Sequence, residues 1–346
     1  MIKASVIGGT GYAGQELLRI LYRHPEVEVV SVGSKSFVGQ PLKEIYRNYR
    51  QITDVVCEAS DIEELAEKSD VIFLALPHGI ASKQVTPEIL SKTKIIDLGA
   101  DFRLKDADIY ESWYNVEHHS KALLNEAVYG LCELHRDEIR TARLLANPGC
   151  YTTCSILSLA PLAAEGYIDP KHVIVDAKSG TTGAGRSSST AFSYCEVNES
   201  IKAYKVASHR HTPEIEQELG LLGNMDLKLT FTPHLVPMNR GILALCYADL
   251  VKDATTETLR EVYRDFYKDE YFIRLTEDEM PETKWVKGSN YCDIGLTVDH
   301  RTNRVIVIGA IDNLIKGAAG QAVQNMNLMF DLDEKTGIDF ITDFPV

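Results

Sequence analysis

The rhythm of apolar and polar positions changes once along the chain, close to residue 150. Before it, residues 2–7 (Ile-Lys-Ala-Ser-Val-Ile) predict a buried strand, and "GYAGQELLRILYRHP" carries apolar side chains at helical spacing until Pro25 stops it. "VEVVSVGS", "SDVIFLALP" and "KIIDLG" predict a second, third and fourth strand. Strands alternating with helices imply right-handed crossovers and therefore a parallel, doubly wound sheet. Past residue 150, "HVIVDAKSG", "MDLKLTFTPHL", "GILALCYADL", "YCDIGLTVD" and "NRVIVIGAID" follow with fewer helices between them, which predicts a mixed, largely antiparallel sheet. The last amphipathic stretch, "NLIKGAAGQAVQNMNLMFDL", predicts a helix returning to the first domain. The expected architecture is α/β: a Rossmann-type domain of residues 1–149 and 314–346, and an α+β domain of residues 150–313.

Composition narrows the partners. A chain of 346 residues is long for one core, and 45% apolar with 25% charged residues reads as soluble and globular. The formal charge of −14 disfavours nucleic acid and anionic membrane surfaces as main partners, while leaving room for a locally basic site that takes a small anionic substrate. The seven cysteines include no Cys-x-x-Cys pair and no Cys/His group at zinc spacing, so neither a disulfide frame nor a bound metal is expected. Free thiols in a reducing cytoplasm are the simpler reading, and no run of 18 apolar residues suggests a membrane span.

The loop "IGGTGYAG" sets Gly8, Gly11 and Gly14 directly after the first strand and across the start of the first helix. Gly8 permits the sharp turn, Gly11 lets a pyrophosphate approach the backbone, and Gly14 allows close helix packing, with Thr10 and Tyr12 at the same loop. An NAD site usually places Asp or Glu about 20 residues further on, to grip the ribose hydroxyl. Here the second strand ends in Ser34 and Lys35, groups that accept a 2′-phosphate, so NADP is the expected dinucleotide. A solvated polar loop tip is the plain alternative.

Cys150 stands where the apolar run "LLANPG" stops and an apolar helical run begins. A helix N-terminus lowers a thiol's pKa, and its N–H groups can hold an oxyanion that forms on a carbonyl attacked by sulfur. Cysteine is also a common packing residue, the expected role of Cys57, Cys132, Cys195, Cys246 and Cys292. "ASHRHTPEIEQEL" offers His209 and His211 around Arg210 just before a helix, a group suited to moving protons and binding an anion. Arg103 in "DLGADFRL" and Arg186 in "SGTTGAGR" are further candidates for phosphate or carboxylate. His78, in "LPHG" with Pro77, ends the third strand, where doubly wound sheets place ligands.

Together, "GGTGYAG", "LPHG", "DLGADFRL", "NPGCYTT", "SGTTGAGR", "HRHTPEIEQEL" and "AAGQAVQNMN" resemble the N-acetyl-gamma-glutamyl-phosphate reductase family along nearly the whole chain. That family is similar in fold and chemistry to aspartate-semialdehyde dehydrogenase and, more distantly, to glyceraldehyde-phosphate dehydrogenase. The resemblance implies that Cys150 is the nucleophile, that the His-Arg-His segment is the acid/base, that NADP is the cofactor, and that Asn313 and its neighbours approach it. It also implies a homodimer or homotetramer acting on a small acyl phosphate in arginine biosynthesis. Lys35 stands where the family often has arginine. The alternatives are a semialdehyde dehydrogenase for aspartyl phosphate or a carrier-linked aminoadipyl phosphate, a cysteine hydrolase, and a non-catalytic dinucleotide-binding regulator, which leaves Cys150 and the histidines unexplained.

Overall fold

The structure, a computed structural model, describes residues 1–186, 189–342 and 344. The chain divides into two compact units, Met1–Pro148 with Ala318–Asp339, and Gly149–Gly317 with Phe340–Val346.

The first unit is built on a six-stranded sheet of β1 (Ile2–Ile7), β2 (Val27–Gly33), β3 (Val71–Leu74), β4 (Lys94–Asp97), β5 (Val128–Tyr129) and β6 (Leu144–Ala146). Its order is β2-β1-β3-β4-β6-β5, and every pairing is parallel. Val71 to Leu74 are all fully buried, as expected of a central strand covered on both faces. The strand order reverses between β1 and β3, so the loops after these two strands, 8–11 and 75–80, flank the crevice where such sheets bind ligands. The four expected strands are present. β5 and β6 extend the sheet by segments of two and three residues, too short to carry a period.

The second unit carries a mixed seven-stranded sheet in the order β11-β12-β13-β10-β7-β9-β8. Its strands are β7 (Ile168–Ser179), β8 (Lys202–Ala203), β9 (Leu229–Leu235), β10 (Ile242–Leu250), β11 (Ile273–Leu275), β12 (Cys292–Asp299) and β13 (Arg304–Ile311). β10 pairs antiparallel with both β7 and β13, while β7 with β9 and β11 with β12 run parallel. One face is covered by the helix Cys150–Ala164, in which Tyr151 through Ala163 are all buried. A helix buried all round belongs to the core, and its hydroxyls, as with Thr152, Thr153 and Ser158, bond within the protein. Gly309 on β13 lets it lie close, because a Cβ there would stand 3.0 Å from Cys154 Sγ.

The closing stretch departs from the expected single amphipathic helix. Asp312 accepts the N–H groups of Leu314 and Ile315, Gly317 N–H reaches back five residues to Asp312 C=O, and a π-helical turn (Ile315–Ala319) precedes the α-helix Gly320–Met329. All ten residues of that α-helix are buried, so its amides are interior groups, not a wet face.

Candidate active site

The glycine loop has the geometry its spacing implies. Gly8 adopts φ +85°, a left-handed conformation, and a Cβ there would strike the Ala75 carbonyl. A Cβ on Gly14 would strike the Gly8 carbonyl, so the helix Tyr12–Leu21 can start only over a bare α-carbon. Gly11 is its N-cap, and no side chain caps that end. The first N–H groups of a helix lack intrahelical acceptors and suit a phosphate. At the end of β2, the Ser34 hydroxyl is buried and lies 2.8 Å from Thr10 Oγ1, while Lys35 is exposed. Tyr46 donates to the Thr10 carbonyl and stiffens the loop. Pro77 is exposed beyond β3, and His78 packs on Tyr114 with ring centroids 5.4 Å apart. The bare-glycine cradle, together with a hydroxyl and an ammonium in place of an acid, fits a dinucleotide carrying a 2′-phosphate.

In the second unit, Cys150 is the first residue of the helix Cys150–Ala164, and Gly149 is its N-cap. Cys150 is partly accessible, whereas Cys57, Cys132, Cys154, Cys246 and Cys292 are buried and Cys195 is exposed. The start of this helix is tied to the start of the helix Thr212–Gly223. Glu214, 1% exposed, accepts from Gly149 N–H at 2.9 Å and from Thr152 Oγ1 at 2.8 Å. Across that junction His209 and His211 face each other, ring centroids 4.7 Å apart, and both rings meet Tyr151 edge-on. The Tyr151 hydroxyl donates to the His234 carbonyl at 3.0 Å and receives that of Tyr204 at 3.3 Å. Burial, above all, pushes the Tyr204 hydroxyl up to about 12, so it stays protonated at working pH.

The two histidines are not equivalent. Burial first, then the neighbouring His211, Lys205 and Arg210, push the His209 imidazole down to about 2. It is neutral, and because His211 N–H donates to its Nδ1 at 3.2 Å, the ring proton belongs on Nε2. His209 therefore offers a fixed N–H donor. Arg210 lies between the two, half-buried.

The remaining candidates lie in two other places. Arg103, 7% exposed, spends Nε on the Asn147 carbonyl at 2.8 Å and one terminal nitrogen on the Leu98 carbonyl at 2.9 Å. Asn313 precedes the π-turn, where its side-chain Oδ1 accepts Gly241 N–H at 2.7 Å and its Nδ2 donates to Thr182 Oγ1 at 3.0 Å. Arg186 is exposed at the end of that same 181–186 loop. Sequence reasoning missed Glu214, Tyr151, Tyr204, Asn147 and Asp97. Glu214 could have been found as an acid in the first turn of the helix that follows the His-Arg-His segment.

Asp97, at the end of β4, is fully buried beside Asp101, and burial first and that carboxylate second push it up to about 7. A raised carboxyl pKa gives stability that is complete below the ordinary aspartate range and is lost as pH rises through about 7, on the order of 4 kcal/mol in all. Asp97→Asn should therefore melt higher than the parent at about pH 8 and show a smaller advantage at about pH 5. A difference in melting temperature that does not change with pH would dismiss this reading of Asp97.

Comparison with known proteins agrees with both units. A family model for the semialdehyde dehydrogenase NAD-binding domain matches residues 3–142, and one for the semialdehyde dehydrogenase dimerisation domain matches residues 150–313. The chain is 56% identical over 348 residues to the N-acetyl-gamma-glutamyl-phosphate reductase of Lachnospira eligens, covering 100% of each. It is 54% identical over 340 residues to that of Campylobacter jejuni, covering 98% of each. Among solved structures it is similar to aspartate semialdehyde dehydrogenase II from Vibrio cholerae, with TM-score 0.72, 16% identity, and 96% of this chain and 98% of that one covered. Aspartate semialdehyde dehydrogenase with NADP from Candida albicans matches with TM-score 0.70 and 16% identity over 95% and 98%. At that identity the structures speak for the fold.

Proposed function

The chain belongs to the semialdehyde dehydrogenase family, among its N-acetyl-gamma-glutamyl-phosphate reductases, and from that premise we propose that it reduces N-acetyl-gamma-glutamyl phosphate to the semialdehyde with NADPH, releasing phosphate, in arginine biosynthesis. The observation that carries the reading is the junction of the two helix starts: Cys150 at one, His209 and His211 at the other, joined by Glu214.

Cys150 attacks the acyl-phosphate carbon, with His211 taking the thiol proton. The carbonyl oxygen becomes an oxyanion held by N–H groups of the helix's first turn and by His209 Nε2–H. Its collapse expels inorganic phosphate and leaves a thioester on Sγ. Gly8, Thr10, Gly11, Tyr12, Gly14, Ser34, Lys35 and Pro77 would hold NADPH, which when bound would supply the hydride that reduces the acyl group. The second oxyanion expels the sulfur, His211 returns its proton, and the aldehyde leaves. Arg210 and Arg186 attract the anionic substrate, and in this reading nucleotide binding falls to residues 1–149 and 314–346 and acyl transfer to residues 150–313. The reverse reaction tests the assignment: reduced-nicotinamide absorbance should grow when NADP, phosphate and N-acetylglutamate semialdehyde are mixed with the protein. Growth with aspartate semialdehyde instead would transfer it to the sister activity.

Cofactor choice follows from the end of β2. A charge-assisted bond to the 2′-phosphate contributes about 1.5–3 kcal/mol, about 10- to 150-fold, and exposed Lys35 belongs at the low end. Lys35→Ala should lower kcat/KM for NADPH by about 10-fold, leave NADH nearly unchanged, and lose its effect as salt rises. Equal efficiency of the parent enzyme with both nucleotides at low salt would contradict it.

The chain is proposed to act as a homodimer or homotetramer in the cytoplasm. On the face of the second sheet turned away from the helix Cys150–Ala164, the half-exposed residues Leu245 and Tyr247 stand beside Ile308, Ile306 and Ile174 in adjoining rows, an apolar strip suited to a second copy. All seven cysteines are free, which suits a reducing compartment. Light scattering that returned the mass of one chain at working concentration would remove the oligomer.

A further inference from the structure

We propose that Asn325, on the helix Gly320–Met329, is a positioning residue for the reaction: it holds Asn147, and through it the Asn-Pro-Gly turn that presents Cys150. The proposal rests on Cys150 being the nucleophile.

Asn147, 1% exposed, is fixed at four atoms. Its N–H donates to the Asp97 carbonyl at 2.8 Å, and its own carbonyl accepts from Arg103 Nε at 2.8 Å. Its side-chain nitrogen donates to the Ala318 carbonyl at 3.1 Å, and its side-chain oxygen accepts from Asn325 Nδ2 at 3.2 Å. One residue later Pro148 has a fixed φ, so the setting of Asn147 is passed to the N-cap Gly149 with few free torsions between.

Asn325 is fully buried and bonded on every side. Its Nδ2 also donates to the Gly130 carbonyl at 2.8 Å, and its Oδ1 accepts from Cys132 Sγ at 3.0 Å. These partners settle which end of the amide is which, since the Gly130 carbonyl needs a donor. Gly130 leaves the room: an added Cβ would lie 2.6 Å from Asn325 Nδ2. Gln321, one turn earlier, donates to the same carbonyl at 2.9 Å. A buried amide costs free energy against an apolar side chain unless its bonds are made, so four of them on one buried helix call for a use. Two have another one. Gln324 bonds Glu133 and Glu334, and Asn327 bonds His24, Glu334 and Thr336, which ties down the segment after the helix. Asn325 alone of the four touches Asn147 among the described bonds. Within the second unit Gly317 lies so near Cys150 that a Cβ there would be 2.8 Å from the cysteine's own.

The test compares Asn325→Ala with Gln324→Ala, an equally buried amide of the same helix. For each, kcat, KM, melting temperature and the pH dependence of Cys150 alkylation by iodoacetamide in the NADP-free protein are measured, with the label mapped to residues 144–166. Asn325→Ala should lower kcat by about 10- to 100-fold with little change in KM, and slow Cys150 alkylation. Gln324→Ala should lower the melting temperature and leave kcat and alkylation unchanged. If Asn325→Ala does not fold, Asn325→Asp carries the test. It keeps the shape but replaces the donor with an acceptor, so kcat relative to the parent should fall at neutral pH and recover toward the parent's as pH drops and the buried carboxyl takes up a proton. Equal loss of kcat in Asn325→Ala and Gln324→Ala, or an unmoved alkylation profile in the Asn325 variants, overturns the proposal. An active Cys150→Ala enzyme would instead end the reading of the nucleophile.

Discussion

Cys150→Ala should lower kcat by about 10⁴-fold or more while NADP binding stays as in the parent. The argument is one of division of labour. In the proposed mechanism the sulfur forms a bond to the acyl carbon, whereas the dinucleotide would rest on the bare glycines at 8, 11 and 14 and on Ser34 and Lys35, none of which the substitution changes. Cys150→Ser should be nearly as inactive, because its hydroxyl is a far weaker acid than a thiol and a helix N-terminus cannot make up the difference. Accessibility makes the assignment readable in a second way. Five of the seven thiols are buried, so a limiting alkylating agent meets only Cys150 and exposed Cys195. Label at Cys150 should stop turnover, and label at Cys195 should not. Turnover in Cys150→Ala above that of the uncatalysed mixture, or inactivation that follows Cys195 alone, would sink the thioester route.

What the chain reveals without coordinates follows from what burial does to a period. Strands such as β10, whose residues alternate between buried and half-exposed, and β3, buried throughout, are legible because their side chains meet two different environments or one. β5 and β6 are too short to show either. The stretch ending in the helix Gly320–Met329 is amphipathic in sequence, yet Gln321, Gln324, Asn325 and Asn327 are buried, because a sequence does not distinguish an amide bonded to water from one bonded to protein. Asp97 was passed over likewise, since burial first and the neighbouring Asp101 second make its carboxyl unusual, and a sequence shows neither. Cys150, His209 and His211 were legible as residue types beside helix starts. That Glu214 brings those two starts together depends on contacts between segments far apart in the chain, such as Thr152 with Glu214, 62 residues apart, beyond any local pattern.

His211→Asn should lower kcat/KM by about 10²- to 10⁴-fold and remove the acid limb of its pH profile. The limb marks the group that must be neutral to take the Cys150 proton, and below it the protonated group has no lone pair to offer. His209 does not supply that limb. Its ring is held near 2, so it stays neutral across any pH at which the protein is assayed, and its Nδ1 is already engaged by the His211 N–H. What His209 contributes is a donor in a fixed place, worth most where negative charge develops on the substrate oxygen. His209→Asn keeps an N–H donor and should retain more activity than His209→Ala, with the acid limb intact in both. The same depressed pKa has a consequence for stability. A histidine that resists protonation when folded loses stability as pH falls below its ordinary value of about 6.5, so both His209 variants should melt closer to the parent in acid than at neutral pH. If the acid limb survives in His211→Asn and vanishes in His209→Asn, the two roles are reversed, and the proton must travel through the ring that burial and its cationic neighbours hold neutral.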